Sequence, residues 1–227
     1  MKKIMLAVNI LIISAVFYMN YIYQSNGFNF TLKCICSATF AILGVINLLH
    51  AFASRAENLK FYLAMSIGLI LAFSGDYLIG YDFIKGAATF ALGHIFFVIA
   101  YCFLERMQKS DYIISGALFA GCLIFLNCCP FLTFDVPIYR AVCTVYALII
   151  SFMLGKALGN LIRNRNSVTI IIAFASFLFF FSDLMLVLDW FIGAWEWTDN
   201  ACMGTYYPAL CFLALSMCIK NITKNKI

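Results

Sequence analysis

Asp76, Asp183 and His94 are titratable side chains set in runs of apolar residues. Asp76 lies in Phe73-Ser74-Gly75-Asp76-Tyr77-Leu78, and Asp183 lies in Phe181-Ser182-Asp183-Leu184. His94 closes Phe90-Ala91-Leu92-Gly93-His94. Two carboxyl groups can do more than one. Burial keeps one protonated, and a more polar setting keeps its partner ionised. The first then gives a proton, while the second activates water or steadies a developing cation. An imidazole beside them can orient a carboxylate or relay protons. The same groups would also serve as a proton relay in a small carrier, so the residue types leave enzyme and transporter open.

What surrounds these groups follows from composition. Of the 227 residues, 65% are hydrophobic and 11% charged. A soluble domain is roughly half apolar and about a quarter charged. A soluble globule of this length cannot hide the excess, and a disordered chain would not carry it. Stretches such as Ile4 to Phe17, Ala38 to Leu49 and Val168 to Phe181 are apolar on every side. They lack the alternation of a membrane barrel, so they read as helices. Eight spans are expected, near 4–23, 30–53, 60–80, 86–104, 111–129, 136–160, 167–193 and 202–220. The short connections predict consecutive helices packed as antiparallel neighbours. The expected fold class is an all-α polytopic integral membrane protein, with residues 1–227 forming one eight-helix transmembrane domain. Met1-Lys2-Lys3 reads as the start of a first span that stays, since the apolar run continues to Tyr23.

The cations orient the bundle. Twelve fall on one side: Lys2, Lys3, Arg55, Lys60, Arg106, Lys109, Lys156, Arg163, Arg165, Lys220, Lys224 and Lys226. Only Lys33, Lys85 and Arg140 fall on the other. Cytoplasmic loops carry the excess of Lys and Arg, so both termini are expected in the cytoplasm. Tyr18, Tyr21, Tyr23, Tyr81, Trp190, Trp195 and Trp197 then form an aromatic belt at the outer interface. The net charge of +5 needs no nucleic-acid partner. Asp76 lies 16 residues past Lys60 and Asp183 lies 16 past Ser167, both roughly 24 Å from the cytoplasmic edge at 1.5 Å per residue. With His94, Arg140, Tyr206 and Tyr207 they predict a one-sided pocket in the outer half. Asn47 and His50 are the polar pair of the inner half.

Structural readings stand beside these. Lys33, Asp82, Arg140 and Asp189 could snorkel to the interface, His94 could be a packing histidine, and Tyr206 and Tyr207 could belong to the belt. The ten cysteines, most within spans, behave as small hydrophobes, and neither Cys34-Ile-Cys36 nor Cys128-Cys129 has zinc spacing. Gly155 and Gly159 suggest local helix packing. No metal and no cofactor is expected.

Phe83-Ile84-Lys85-Gly86, Phe90 and His94 make an F-x-x-G-x-x-x-F-x-x-x-H helix between the Ser-Gly-Asp element at Asp76 and the later F-x-x-S-D element at Asp183. Tyr206-Tyr207-Pro208-Ala209 follows in the last span. This order resembles the YhhN-like membrane family, which includes the lysoplasmalogenases, from about Lys33 to Ser216. Tyr146 and Met153 match its sixth helix. Cys34 replaces a common proline, Leu210 a common glutamine, and Lys85 takes a commonly apolar position. The resemblance implies a hydrolase of the bacterial cell membrane acting on the vinyl ether of lysoplasmalogen-type lysophospholipids. The products would be a fatty aldehyde and a glycerophospho head group. Asp76 and Asp183 would be the acid/base pair, assisted by His94. Lys33, Arg140, Tyr146, Asp189, Tyr206 and Tyr207 would line the substrate site, with Lys33 and Arg140 holding the phosphate. The alternative readings are a proton-coupled transporter and a lipid-binding protein without turnover.

The cation split makes the first prediction. Reporter fusions at either terminus and at the loops near Arg55, Arg106 and Arg163 should report cytoplasm. Cytoplasmic labelling of a cysteine placed in the Trp195 loop would overturn this topology.

Overall fold

The computed structural model describes residues 2–26, 29–193 and 196–223. It contains α1 (Lys2–Asn26), α2 (Phe30–Ala53), α3 (Leu59–Ile79), α4 (Phe83–Leu104), α5 (Lys109–Cys128), α6 (Pro137–Arg163), α7 (Ser167–Ile192) and α8 (Glu196–Thr223). All eight are long and apolar enough to cross a membrane, and the described residues contain no strand. The helix starts have local causes. Asn29, Asp82 and Asn166 cap α2, α4 and α7 by accepting from backbone N–H groups two or three residues on. Pro137 opens α6, where its missing N–H costs nothing. Asp82 is held below the ordinary carboxylate range first by the Lys85 backbone N–H and then by the Lys85 side chain.

The largest departure from the expected spans is at α8, which begins at Glu196 rather than near 202. Its polar first turns continue the helix, and the Thr198 hydroxyl donates to Asp189 Oδ1 at 3.0 Å, tying α8 back to α7. Neighbours in sequence pack together with one exception. α4 packs against α3 and α6 rather than α5, and α5 touches α6 alone. α8 lies against α1, α2, α3 and α7. It is the hub of the bundle, and Pro208 within it removes one backbone donor just after Tyr206 and Tyr207.

Lys2 Nζ donates to the Ile222 carbonyl at 3.4 Å, so the first and last helices meet at one end, called here the terminal end. Tyr18, Tyr21, Tyr81, Trp190 and Trp197 are exposed, as a belt requires. Tyr23 is not; it is 2% exposed and belongs to the buried stripe Asn9, Ile13, Val16, Asn20 and Tyr23 of α1. Trp195, Lys224 and Lys226 lie outside the described residues. In that stripe Asn9 exchanges two 2.9 Å amide hydrogen bonds with Asn47, which also donates to the Ala214 carbonyl at 2.9 Å. His50, at the same end, has its Nδ1 2.9 Å from the Asn221 amide nitrogen.

Lys156 was expected among the interfacial cations, but its side chain is fully buried. Its ammonium meets Asp111 Oδ2 at 2.9 Å and the Arg106 carbonyl at 3.0 Å. Arg163 clamps the same carboxylate at 2.7 and 3.2 Å and reaches Glu105 at 2.7 Å. Gly155 and Gly159 leave the space into which Ser115 and Asp111 of α5 fit. The small-residue pair thus seats α5 on α6, and the ion network locks it there.

Removing one member of a fully buried pair strands the other, at about 3–5 kcal/mol, whereas an exposed pair is worth about 0–1 kcal/mol. Because Arg163 still clamps Asp111, Lys156→Met should fall between these limits and lower unfolding stability in detergent by about 1–3 kcal/mol. Lys85→Met, whose side chain is 72% exposed beside Asp82, should change it by less than about 1 kcal/mol. Equal effects would contradict the burial of the Lys156 pair.

Candidate functional site

Away from the terminal end, six helices turn polar side chains toward one another. Lys33 and Ser37 stand one turn apart on α2 and both face Asp76 of α3. Lys33 Nζ is 3.6 Å from Asp76 Oδ1, and Ser37 Oγ is 2.5 Å from Oδ2. Lys33 is 7% exposed and Asp76 3%, so neither snorkels to the interface. The Ser37 hydroxyl also lies 2.9 Å from the Lys33 carbonyl, and Tyr207 donates to that carbonyl at 3.2 Å. Tyr206 faces the Asp76 carboxylate and points its hydroxyl at the Ala72 carbonyl, 3.4 Å away. Asp76 thus has an ammonium and hydroxyl donors around it.

Asp183 has a different environment. Tyr146 of α6 donates to its Oδ2 at 2.6 Å, and His94 Nε2 of α4 lies 3.2 Å from the same oxygen. His94 Nε2 is 2.7 Å from Tyr146 Oη, and its Nδ1 is 3.2 Å from Met153 Sδ. His94 is wholly buried, and its ring packs on Phe179 at 4.6 Å between centroids. Phe179 in turn meets the Tyr206 ring at 5.4 Å. The two carboxylates do not touch. They form two clusters joined by Tyr206, which lies in the field of both.

The sequence pattern explains this placement. Gly86 lets α4 approach α3, since a Cβ there would lie 2.6 Å from the Ile79 Cα. Gly75 makes room for the Phe90 ring, which a Cβ would meet at 2.9 Å. One turn past Phe90, the same face of α4 carries His94. Ser74, by contrast, bonds back to the Ile70 carbonyl at 2.9 Å on the exposed side, and Ser182 bonds the Cys202 carbonyl at 3.1 Å. Ser182 thus ties α7 to α8, and Ser74 satisfies only its own helix.

Of the candidates read from sequence, Asp76, Asp183, His94, Lys33, Tyr146, Tyr206 and Tyr207 converge. Arg140 does not join them; it is exposed, with its guanidinium 5.4 Å above the Phe134 ring. Asp189 is engaged with Thr198. Ser37 was missed, although its spacing of four residues from Lys33 places both on one helix face. Counted from the far helix ends, Asp76 is 3 residues from Ile79 and Asp183 is 9 from Ile192. The two carboxylates therefore enter from helices that overshoot by different amounts.

Apolar spaces lead to Asp183 from the lipid side. A groove of about 320 Å³ between α4 and α6 is lined by Ala87, Ala88, Ala91, Val142 and Val145 and ends at Tyr146. Two smaller spaces of about 50 and 30 Å³ are bounded by Cys143, Tyr146, Asp183 and Val187. A cavity of about 500 Å³ lies elsewhere, beside Asn58, Glu105, Asn160, Asn164 and Lys220. It touches neither carboxylate. Among the described residues no cluster of His, Cys, Asp or Glu could hold a metal ion.

Loss of the Lys33 ammonium would leave Asp76 a buried charge without its counterion, at about 3–5 kcal/mol. Lys33→Met should destabilise the protein by that order in detergent unfolding, and adding Asp76→Asn should recover most of it. Arg140→Ala should cost less than about 0.5 kcal/mol. Additive losses in the double variant would refute the pairing.

No curated protein and no solved structure matches the chain. The YhhN family does match, over residues 32–217. That stretch holds both carboxylate clusters with all their partners. By a match spanning most of its length, the chain belongs to the YhhN family.

Proposed function

We propose that the protein is a membrane hydrolase that cleaves the vinyl ether of lysoplasmalogen-type lysophospholipids. The observation that carries this reading is the pair of buried carboxylates in unlike settings. Asp76 sits against an ammonium, and Asp183 sits against a phenol and an imidazole beside two small apolar spaces. The family resemblance supplies the substrate class.

The reaction needs what such a pair offers. Protonation of the β-carbon of R–CH=CH–O–R′ gives the oxocarbenium ion R–CH₂–CH=O⁺–R′. Water adds to that cation and loses a proton to a carboxylate. The hemiacetal then breaks its C–O bond to R–CH₂–CHO and HO–R′. Overall one water is consumed, and the catalytic proton is returned. Oxocarbenium chemistry in glycosidases uses two carboxyl groups in the same division of labour. Both groups here are within the bundle, where few waters compete and electrostatic stabilisation is strong.

The α4/α6 groove suits the alkenyl chain, at a volume near the lower bound of ligand pockets, roughly 300 Å³. Ile138 and Ala141 line it, and Arg140 lies between them in sequence at the start of α6. That position suits the head-group phosphate. Lys33, committed to Asp76, is better placed to set the charge of that carboxylate than to hold phosphate.

The test is turnover of vinyl-ether lysolipids by the purified protein, with the saturated alkyl-ether analogue as control. The analogue has no double bond to protonate and should not react. Asp76→Asn and Asp183→Asn should each lose about 10²–10⁴ in kcat, the usual worth of acid–base catalysis. The double variant should lose little more, since groups acting as a unit are not additive. Arg140→Ala should raise KM and leave kcat. Cleavage of the alkyl ether, or near-normal kcat in either folded Asn variant, would sink the mechanism. A carrier would redistribute the lipid without releasing aldehyde.

A further inference from the structure

His94 has a neighbour at each ring nitrogen, and the two neighbours differ in what they can offer. Met153 Sδ, 3.2 Å from Nδ1, is a thioether and has no hydrogen to give. The contact is a hydrogen bond only if the proton is on Nδ1. Tyr146 Oη, 2.7 Å from Nε2, can give or accept, and so can a carboxyl at Asp183.

Charge leads to the same place independently. Lys33 faces Asp76, so among the described residues the ion-pair partner of Asp183 is His94. A bare carboxylate beside a neutral imidazole would leave one uncompensated charge among Phe179, Phe180 and Leu184 in a lipid-embedded bundle, which is costly. Asp183, Tyr146 and His94 are neutral together only if they share three exchangeable protons.

We infer that Met153 holds a proton on His94 Nδ1, and that Asp183, Tyr146 and His94 form a neutral three-proton relay with Asp183 as its donor. With Nδ1 filled and Tyr146 kept as a phenol, the other two protons have two placements. In one, Nε2–H donates to Tyr146 Oη and the Tyr146 hydroxyl donates to Asp183 Oδ2, an imidazolium facing a carboxylate. In the other, the Asp183 carboxyl donates to Tyr146 Oη and the Tyr146 hydroxyl donates to Nε2, with every member uncharged. They interconvert when Tyr146 passes its proton to one neighbour and takes one from the other, with no change in total charge. The second placement puts a transferable proton on Asp183, at the apolar spaces bounded by Tyr146 and Val187. When that proton leaves for a vinyl carbon, the Tyr146 hydroxyl turns to the new carboxylate, and the proton released by the attacking water restores the trio. Asp76, already matched to an ammonium, is left as the standing anion.

The donor role rests on the proposed function; the position of the proton does not. The experiment is ¹⁵N NMR of histidine-labelled full-length protein in lipid nanodiscs. His50→Gln leaves His94 as the sole histidine, because the chain has two. Nitrogen–proton couplings around the ring should show Nδ1 protonated. A bare Nδ1 with the proton on Nε2 overturns the inference, whether or not the protein turns over lipid. Met153→Leu keeps the bulk and removes the acceptor. It should shift the His94 proton populations and lower kcat about three- to tenfold, the scale of one modest hydrogen bond, with KM held. Unchanged populations and kcat in a folded Met153→Leu protein also overturn it, and the wild-type spectrum decides if that variant does not fold. An Nδ1-protonated ring in a protein that cleaves no vinyl ether would refute the donor role and the proposed function, while leaving the proton placement intact.

Discussion

A charge inside hydrocarbon must meet an opposite charge or give up its own, and this condition shapes the whole bundle. It is met three times, by different means. Asp111 is held by Lys156 and Arg163. Asp76 is held by Lys33 at 3.6 Å with Ser37 beside it. Among the described residues Asp183 has no such ammonium, and a histidine and a tyrosine take its place. The first pair seats α5 on α6 and has only structural neighbours. The other two open on the middle of the bundle, where α4 and α7 meet through side chains rather than backbone. One constraint thus yields both a structural lock and a pair of carboxylates facing the middle of the bundle. The difference lies in whether the carboxylate is saturated by fixed cations.

The architecture keeps those two clusters at a controlled separation. α8 is central, and from it Tyr206 and Tyr207 reach toward α2 and α3, while Phe179 of α7 stands between Tyr206 and His94. Glycines set the other distances. With Gly86 against Ile79 and Gly75 under Phe90, α4 is close enough to α3 for its next turn to carry His94 inward. A larger residue at either glycine would push α4 outward and separate His94 from Tyr146 and Asp183. The glycines in the sequence motif act on the site through the helix axis.

Most of the fold was legible because lipid imposes a simple code: apolar stretches of about 20 residues bounded by polar turns. α2 was read to the residue at 30–53. The start of α8 was not, because Glu196-Trp197-Thr198-Asp199-Asn200 has the composition of a loop, and hydropathy cannot see a helix projecting past the apolar layer. Tyr23 was assigned to the belt by depth alone. Its angle was written in Asn9, Ile13, Val16, Asn20 and Tyr23, a spacing of three and four that marks one inward face. Asp76, Asp183 and His94 stood out because such groups are rare in spans. Ser37 did not, because serine is ordinary there; Met153 was read only as a match to the family's sixth helix, and its placement beside His94 gives it meaning. The burial of Lys156 was invisible for a related reason, since pairing with Asp111 depends on how α5 docks.

The unlike partners of the two carboxylates bear on why a membrane protein would use two. A carboxylate already neutralised by an ammonium is a poor source of protons but a steady source of field. One balanced by an imidazole through a phenol can move its proton within the cluster at little electrostatic cost, because the cluster stays neutral whichever member holds it, and the charge left when the proton departs is met by the cation it creates. Had both been paired with lysines, neither would give up a proton readily. Had both been paired with histidines, no fixed negative charge would remain to meet a cation formed in hydrocarbon. The asymmetry between Lys33–Asp76 and His94–Tyr146–Asp183 is therefore what the proposed acid catalysis through a cationic intermediate would require of a site where little water screens charge.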